Sequence, residues 1–365
     1  MINIALTIST NNSKSEGIWV NGISQNIINL YFLLRNTSSE YNVFLVNTIE
    51  KLEYPIEIDG LKCYLLDGVI NDIHILFEVG LKIEEYQYNI LKNNKTKIVH
   101  YNCGANYFLD METILFGVKK DRTFNKCVPD QVWTIPQNYE TNKYYYELLY
   151  KTENIEVPFI WSPFFIDNLL KKLNLNGYYT PNNENKNISV FEPNINIVKY
   201  SMYPILIVEK LFNENKKLFN KFYLTNSLDL KESEYFMSMI SRLGIFSNDK
   251  IIFEGRYKIP YFLDKYTDVV LSHQIYNPLN YAYLDALYLD YPFVHNADII
   301  KDSGYYYSGF DVEEAKNKLK YALTEHDNNL EEYKEKSKKI LERYLPTNEK
   351  SIYIYKKLIN NLLNK

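Results

Sequence analysis

Apolar residues fall in two alternating rhythms along the chain. Compact runs of strand length, INIALTI (2–8), YNVFLVN (41–47), DIHILFEV (72–79), KIVHYN (97–102) and QVWTIP (131–136), predict buried strands. Between them apolar positions recur at helical spacing, most clearly in ISQNIINLYFLLRN (23–36) and again in TNKYYYELLYK (141–151). IEVPFIWSPFFID (155–167) is punctuated by proline and reads as an irregular exit. The stretch NLNGYYTPNNENKN (174–187) is polar and rich in Asn, Gly and Pro, which predicts a linker.

After it the alternation restarts. NISVFEP (187–193), FYLTNS (222–227), KIIFEGR (250–256), DVVLSH (268–273) and YPFVHN (291–296) predict strands, and PILIVEKLFNENKKLF (204–219) a helix. A second helix is expected in the run after Asn277-Pro278, and two long helices follow Asp311, broken near Pro346. Alternating strand and helix signals imply α/β construction with parallel sheets. The expected architecture is two Rossmann-like domains facing across a cleft, with C-terminal helices. Residues 1–170 form the first, 171–187 the linker, 188–340 the second, and 341–365 the last helix. Ligands of such sheets bind beyond the carboxyl ends of the strands.

Composition narrows the classes. A net charge of -4 over 365 residues, with no basic stripe, argues against nucleic acid as a partner. No apolar run approaches the roughly 20 residues of a membrane span, and MINIALTIST does not read as a signal peptide. Cys63, Cys103 and Cys127 form no CxxC pair, so neither a disulfide scaffold nor a zinc site is expected, and the cytoplasm is the expected compartment. The 35 tyrosines are what AT-rich codons supply, and do not mark a sugar-stacking surface.

Three loops carry candidate chemistry. SKSEGIWVNGISQN (13–26) lacks both the dinucleotide fingerprint and the P-loop, yet Gly17 and Gly22 permit close approach and Ser24 could cap the helix. Trp19 and Asn21 pair an aromatic face with an amide, which suits a sugar ring, and Gly80 and Gly104 end neighbouring strands. In VFEPNINIVKYSMYP (190–204), Glu192, Asn194 and Lys199 stand where a strand yields to a helix, and the lysine could meet a phosphate. In SHQIYNPLNYAYLDALY, Asn277 is expected to cap a helix with Pro278 in its first turn. The amides of Leu279, Asn280 and Tyr281 would then form an anion site. Asp285, on the same helical face as Tyr281, could bind vicinal hydroxyls.

From Lys250 to Asp311 the chain resembles the donor lobe of GT-B nucleotide-sugar glycosyltransferases. KIIFEGR is similar to their strand ending in Phe-x-Gly, and LDALY with YPFVHN and GYYYSGFD to their acidic helix, proline strand and glycine segment. The resemblance places Asp285 on the second glutamate of their Glu-x7-Glu motif, which holds ribose, and Asn277 on the first, which contacts the donor sugar. Pro292, Gly304 and Gly309 fit, and Lys199 lies where a basic residue meets the pyrophosphate. Both motif glutamates are altered, and Pro278, Asn280 and Asp290 replace family glycines. The whole chain resembles an uncharacterised glycosyltransferase-like family of bacteria and giant viruses, through GIWVNGISQN, FEPNINIVK, NSLDL, FEGRY, SHQ, NYAYLDALY, YPFVHN and GYYYSGFD.

The resemblance implies transfer of a sugar from a UDP- or GDP-linked donor to a hydroxyl of a glycan or glycoconjugate. It makes the first domain the acceptor side and the second the donor side, with no cofactor beyond the nucleotide-sugar co-substrate. It also favours retention of configuration. The absence of a DxD pair favours metal-independent chemistry. Arg256 and Tyr257 would read the base, His273 and Asn277 would border the sugar, and His100 or Glu78 would serve as general base if one is used. Three alternatives stay open: an idle sugar-nucleotide-binding protein, an epimerase of the same architecture and, ranked lower, a dehydrogenase. The last helix could cross back to the first domain or pack on a partner such as a second copy in a homodimer.

Overall fold

The computed structural model describes residues 1–9, 22–48, 56–58, 61–117, 124, 126–182 and 185–364. Two compact units result, one of residues 1–162 with 344–365 and the other of 163–343. By this partition the helix Phe164–Leu173 and the polar stretch 174–187 both lie in the second unit, and the C-terminal helix in the first. No described helix is long and apolar enough to cross a membrane.

The first unit is built on β1 (Ile2–Thr7), β2 (Tyr41–Asn47), β3 (Ile56–Ile58), β4 (Leu61–Leu65), β5 (Ile75–Glu78), β6 (Lys97–Asn102), β7 (Gln131–Thr134) and β8 (Asn154–Glu156). They form one sheet in the order β3-β4-β2-β1-β5-β6-β7-β8. All pairs are parallel except β3 with β4. Every residue of β5 and β7 is buried, the reason these strands read as continuous rather than alternating patterns. The C-terminal helix Glu349–Asn364 packs on the helix Gly22–Thr37. Tyr355 anchors it, donating to Pro158 O at 2.9 Å and meeting the Tyr101 hydroxyl at 3.1 Å beside Trp133.

The second unit holds β9 (Ile188–Val190), β10 (Phe222–Leu224), β11 (Ile251–Phe253), β12 (Val269–Leu271), β13 (Phe293–His295) and β14 (Tyr305–Tyr306). All pair in parallel, in the order β11-β10-β9-β12-β13-β14. Counted within the unit this is the 3-2-1-4-5-6 order of a doubly wound sheet, whose direction of winding reverses between β9 and β12. Ile188, Val190, Phe222, Leu224, Val269 and Leu271 supply its core with the helix Met202–Glu214.

Several expected elements differ. The stretch 155–167 is not irregular throughout: β8 opens it, and a helix starts at Phe164, directly after Pro163. The helix expected over 204–219 stops at Glu214, where the Asn215 side chain accepts from Lys217 N and turns the chain. The first tail helix is two, Val312–Thr324 and Leu330–Leu341. Between them the Asn329 side chain donates to Glu325 O, the kind of local bond that competes with helix. Ser24 does not cap, because the helix already begins at Gly22.

The helix after Asn277 begins later than expected. It spans Tyr281–Tyr288, and its cap is Asn280, whose side chain accepts from Tyr283 N at 3.2 Å. Pro278 therefore lies outside it, and the amides of Leu279 and Asn280 are not helix-start amides. The asparagine closer to the helix wins because its oxygen sits three residues before a free N–H.

Candidate functional site

At the carboxyl edge of the second sheet, the residues after β9 and β12 meet at the point where the winding reverses. Ile275 N donates to Val198 O at 3.1 Å and ties the two loops together. Glu192 follows β9 and is buried, 2% exposed. Ser272 and Gln274 follow β12. The Ser272 hydroxyl donates to Glu192 Oε1 and contacts the Tyr283 hydroxyl, while Gln274 Nε2 donates to Glu192 Oε2 at 2.8 Å. Gln274 Oε1 in turn accepts from Asn277 Nδ2 at 2.5 Å. The Asn296 side chain clamps the Gln274 backbone from both sides, at 3.0 and 2.9 Å. Burial pushes the Glu192 carboxyl up to about 7, against the pull of Ser272, Gln274, the Lys199 charge and His273 N–H.

His273 lies beside this chain, its ring 4.2 Å from that of Tyr203 and 4.6 Å from that of Phe310. Burial lowers it to about 4, so the ring is neutral. Tyr307 donates its hydroxyl proton to Ser272 O at 3.0 Å, which leaves His273 Nδ1 to donate to that hydroxyl at 3.0 Å. Nε2 is then an acceptor, buried and without a partner among the described residues.

The remaining donor-side expectations divide. Asp285 is buried, 4% exposed, within the helix that packs on Leu330–Leu341. Lys199 is half-buried, its N–H held by the Asn196 side chain at 3.1 Å. Asn194 braces its own loop. It sits at φ 53°, accepts from Ser201 N at 2.9 Å and directs its amide at Glu192 O and Asn226 O. Arg256 is exposed, and Tyr257, also exposed, donates to Glu254 at 3.0 Å. Leu279 and Tyr281 are buried, Pro278 and Asn280 half-buried. Gly304 is required as glycine: at φ 66° an added Cβ would lie 2.8 Å from Phe293 O.

In the first unit Glu78 and His100, adjacent across β5 and β6, are brought together with Lys82. His100 Nδ1 is 3.6 Å from Glu78 Oε2 and 3.4 Å from Lys82 Nζ, and Ile83 N donates to Glu78 Oε1 at 3.1 Å. Burial raises Glu78, but the His100 contact, the Lys82 charge and Ile83 N–H outweigh it and hold it below the usual range. Burial and the Lys82 charge lower His100. The pair is thus a carboxylate and a neutral imidazole. Gly104 follows β6 with its carbonyl accepting from Asn142 at 2.8 Å, and Gly22 starts its helix. Trp19 and Asn21 lie outside the described residues.

Over residues 4–359 the sequence matches a family described as "Protein of unknown function (DUF2827)". The chain belongs to this family. No curated protein matches it in sequence. Among solved structures, sucrose-phosphate synthase from Thermosynechococcus elongatus superposes with a TM-score of 0.56 at 11% identity, over 100% of both chains. Anabaena HepE in complex with UDP-glucose gives 0.56 at 11%, over 98% of this chain and 100% of that one. An alpha,alpha-trehalose-phosphate synthase (UDP-forming) from Burkholderia xenovorans gives 0.57 at 10%, over 100% of both. At these identities the likeness is one of fold, two Rossmann-like domains of GT-B type, as expected from the sequence.

The sequence pointed to Glu192, His273 and Asn277, which the structure brings together, but not to the residues that join them. Gln274 and Ser272 carried a signal, since the SHQ triplet is among the stretches shared with the resembling family. Tyr203 and Tyr307 carried none, because only the fold brings them to His273.

Proposed function

We propose that this protein transfers a sugar from a UDP-sugar to a hydroxyl acceptor, with the second unit holding the donor. The observation that carries the reading is the buried polar set Glu192, Ser272, Gln274 and Asn277 at the winding reversal of a doubly wound sheet, where such sheets take nucleotides. Structures of the same fold are a UDP-forming synthase and a protein in complex with UDP-glucose, which supports uridine as the base.

In this reading charge developing on the departing UDP meets Lys199, Arg256 and the start of the helix Tyr281–Tyr288. These groups would act without a metal. Asp285 takes the ribose, and Asn277 with His273 borders the sugar. The first unit takes the acceptor, whose hydroxyl proton passes to the Glu78–His100 pair. Retention of configuration is carried by the resemblance alone.

Calorimetry with UDP, GDP and a panel of their sugars, followed by assay for released UDP in the presence of sugar alcohols, tests the proposal. Binding of no nucleotide sugar would refute it. Binding without turnover of any donor would favour the idle-binder reading that the amide at position 277 suggests. Asp285→Ala is expected to weaken UDP by about 1.5–3 kcal/mol, the range for hydrogen bonds to a charged group. Pyrophosphate, which has no ribose, should bind both proteins alike. An equal loss for both ligands would show that Asp285 acts on the fold.

A further inference from the structure

The hydrogen bonds behind Asn277 have a direction. An ionised carboxylate only accepts. Glu192 therefore compels Gln274 to present Nε2 to it, at 2.8 Å. With Nε2 turned to Glu192, the Gln274 carboxamide turns Oε1 to Asn277, which donates to it from Nδ2. The Asn296 clamp on the Gln274 backbone keeps the middle member in place. The NH2 of Asn277 is thereby turned to Gln274 and Oδ1 away from it, and to Oδ1 no hydrogen bond is made among the described residues. A lone asparagine could offer a ligand either its oxygen or its NH2; this one is wired to offer oxygen.

We propose that Glu192 is a positioning residue, which through Gln274 locks the Asn277 carboxamide with Oδ1 as acceptor for a hydroxyl of the donor sugar. The inference rests on the donor site proposed above. It explains how an amide can stand at position 277: the negative charge has moved one layer back, and its polarity is relayed to the sugar by two neutral side chains. All three members are at most 4% exposed, so water cannot easily reset their orientations.

A direction can be reversed, and that is the test. Glu192→Gln removes the obligate acceptor at one end, and Asn277→Asp sets a carboxylate oxygen against Gln274 Oε1 at the other. The double variant turns the whole relay round. Its carboxylate at position 277 accepts from Gln274 Nε2, its amide at position 192 donates to Gln274 Oε1, and an oxygen again faces the sugar.

Calorimetry at about pH 8 with UDP and with UDP-glucose reads the sugar's own share of the affinity as the ratio of the two dissociation constants. Each single variant is expected to lower that ratio by about tenfold while UDP alone changes by less than about twofold. The double variant should return to within about threefold of the wild type, a coupling that independent sites do not show. Gln274→Met, which cuts the relay without altering charge, should match the single variants. Single losses that add in the double variant would overturn the relay, as would an unaffected Gln274→Met or a wild-type protein that binds UDP-glucose no better than UDP. If the wild type binds neither nucleotide, it is the donor-site reading itself that falls.

Discussion

Asp327→Ala is expected to lower the stability of the second unit by about 3–5 kcal/mol, the range for breaking a buried ion pair from one side. Its partner Lys186 is 6% exposed, in the polar stretch that precedes β9. Lys186 Nζ donates to Asp327 Oδ2 at 2.7 Å and to the Tyr179 hydroxyl at 2.7 Å, and Tyr179 donates to Asp327 Oδ1 at 2.6 Å. Asp327 lies in the turn between the helices Val312–Thr324 and Leu330–Leu341, so this triangle fastens the entry of the unit to its last helices. Removing the carboxylate strands an ammonium that has little access to water. Removing both charges does not, and Lys186→Met with Asp327→Leu should recover most of the loss. Urea unfolding of the single variant, the double variant and the wild type checks this. A single variant within about 0.5 kcal/mol of the wild type would mean the lysine is hydrated after all.

The second large effect is one of pH. Burial lifts Glu192 from 4.5 to about 7 in the folded protein, opposed by hydrogen bonds from Ser272 and Gln274, the charge of Lys199 and the His273 N–H. Tyr283 and Tyr307 face it as well, neutral in this range. A carboxyl with a raised folded pKa binds its proton more tightly folded than unfolded. Its contribution is complete below about pH 4.5 and is lost as pH climbs through about 7. The span corresponds to about 3 kcal/mol. Glu192→Gln cannot titrate, so its stability relative to the wild type should rise by that amount between about pH 4.5 and pH 7, other groups cancelling in the difference. Stability curves that stay parallel across this window would show that Glu192 ionises as an exposed glutamate does. The same ionisation gives the Glu192–Gln274–Asn277 relay its direction, so the relay should operate only above the window.

Much of the site was legible before the fold, and what was not shares a cause. Glu192 and Asn277 stood out as polar groups where strands give way to helices, and His273 entered through the family resemblance. Which asparagine caps the helix was not decidable from the pattern, because Asn277-Pro278 and Asn280 are both competent and only backbone geometry chose Asn280. The loop bonds of Asn194 were not legible either. A short amide next to a strand end can bond its own backbone as easily as a substrate.

By itself the sequence determined the class of fold: compact apolar runs alternate with runs of helical period, and buried parallel strands need no partner information to be seen as apolar runs. The order of those strands came only from tertiary structure. With it came the meeting of residues 192 and 272–277 at the winding reversal, and the pairing of Glu78 with His100. Side-chain periodicity reports which face of an element is buried, whereas contacts between residues 80 apart depend on which strand lies beside which, and no local pattern encodes that.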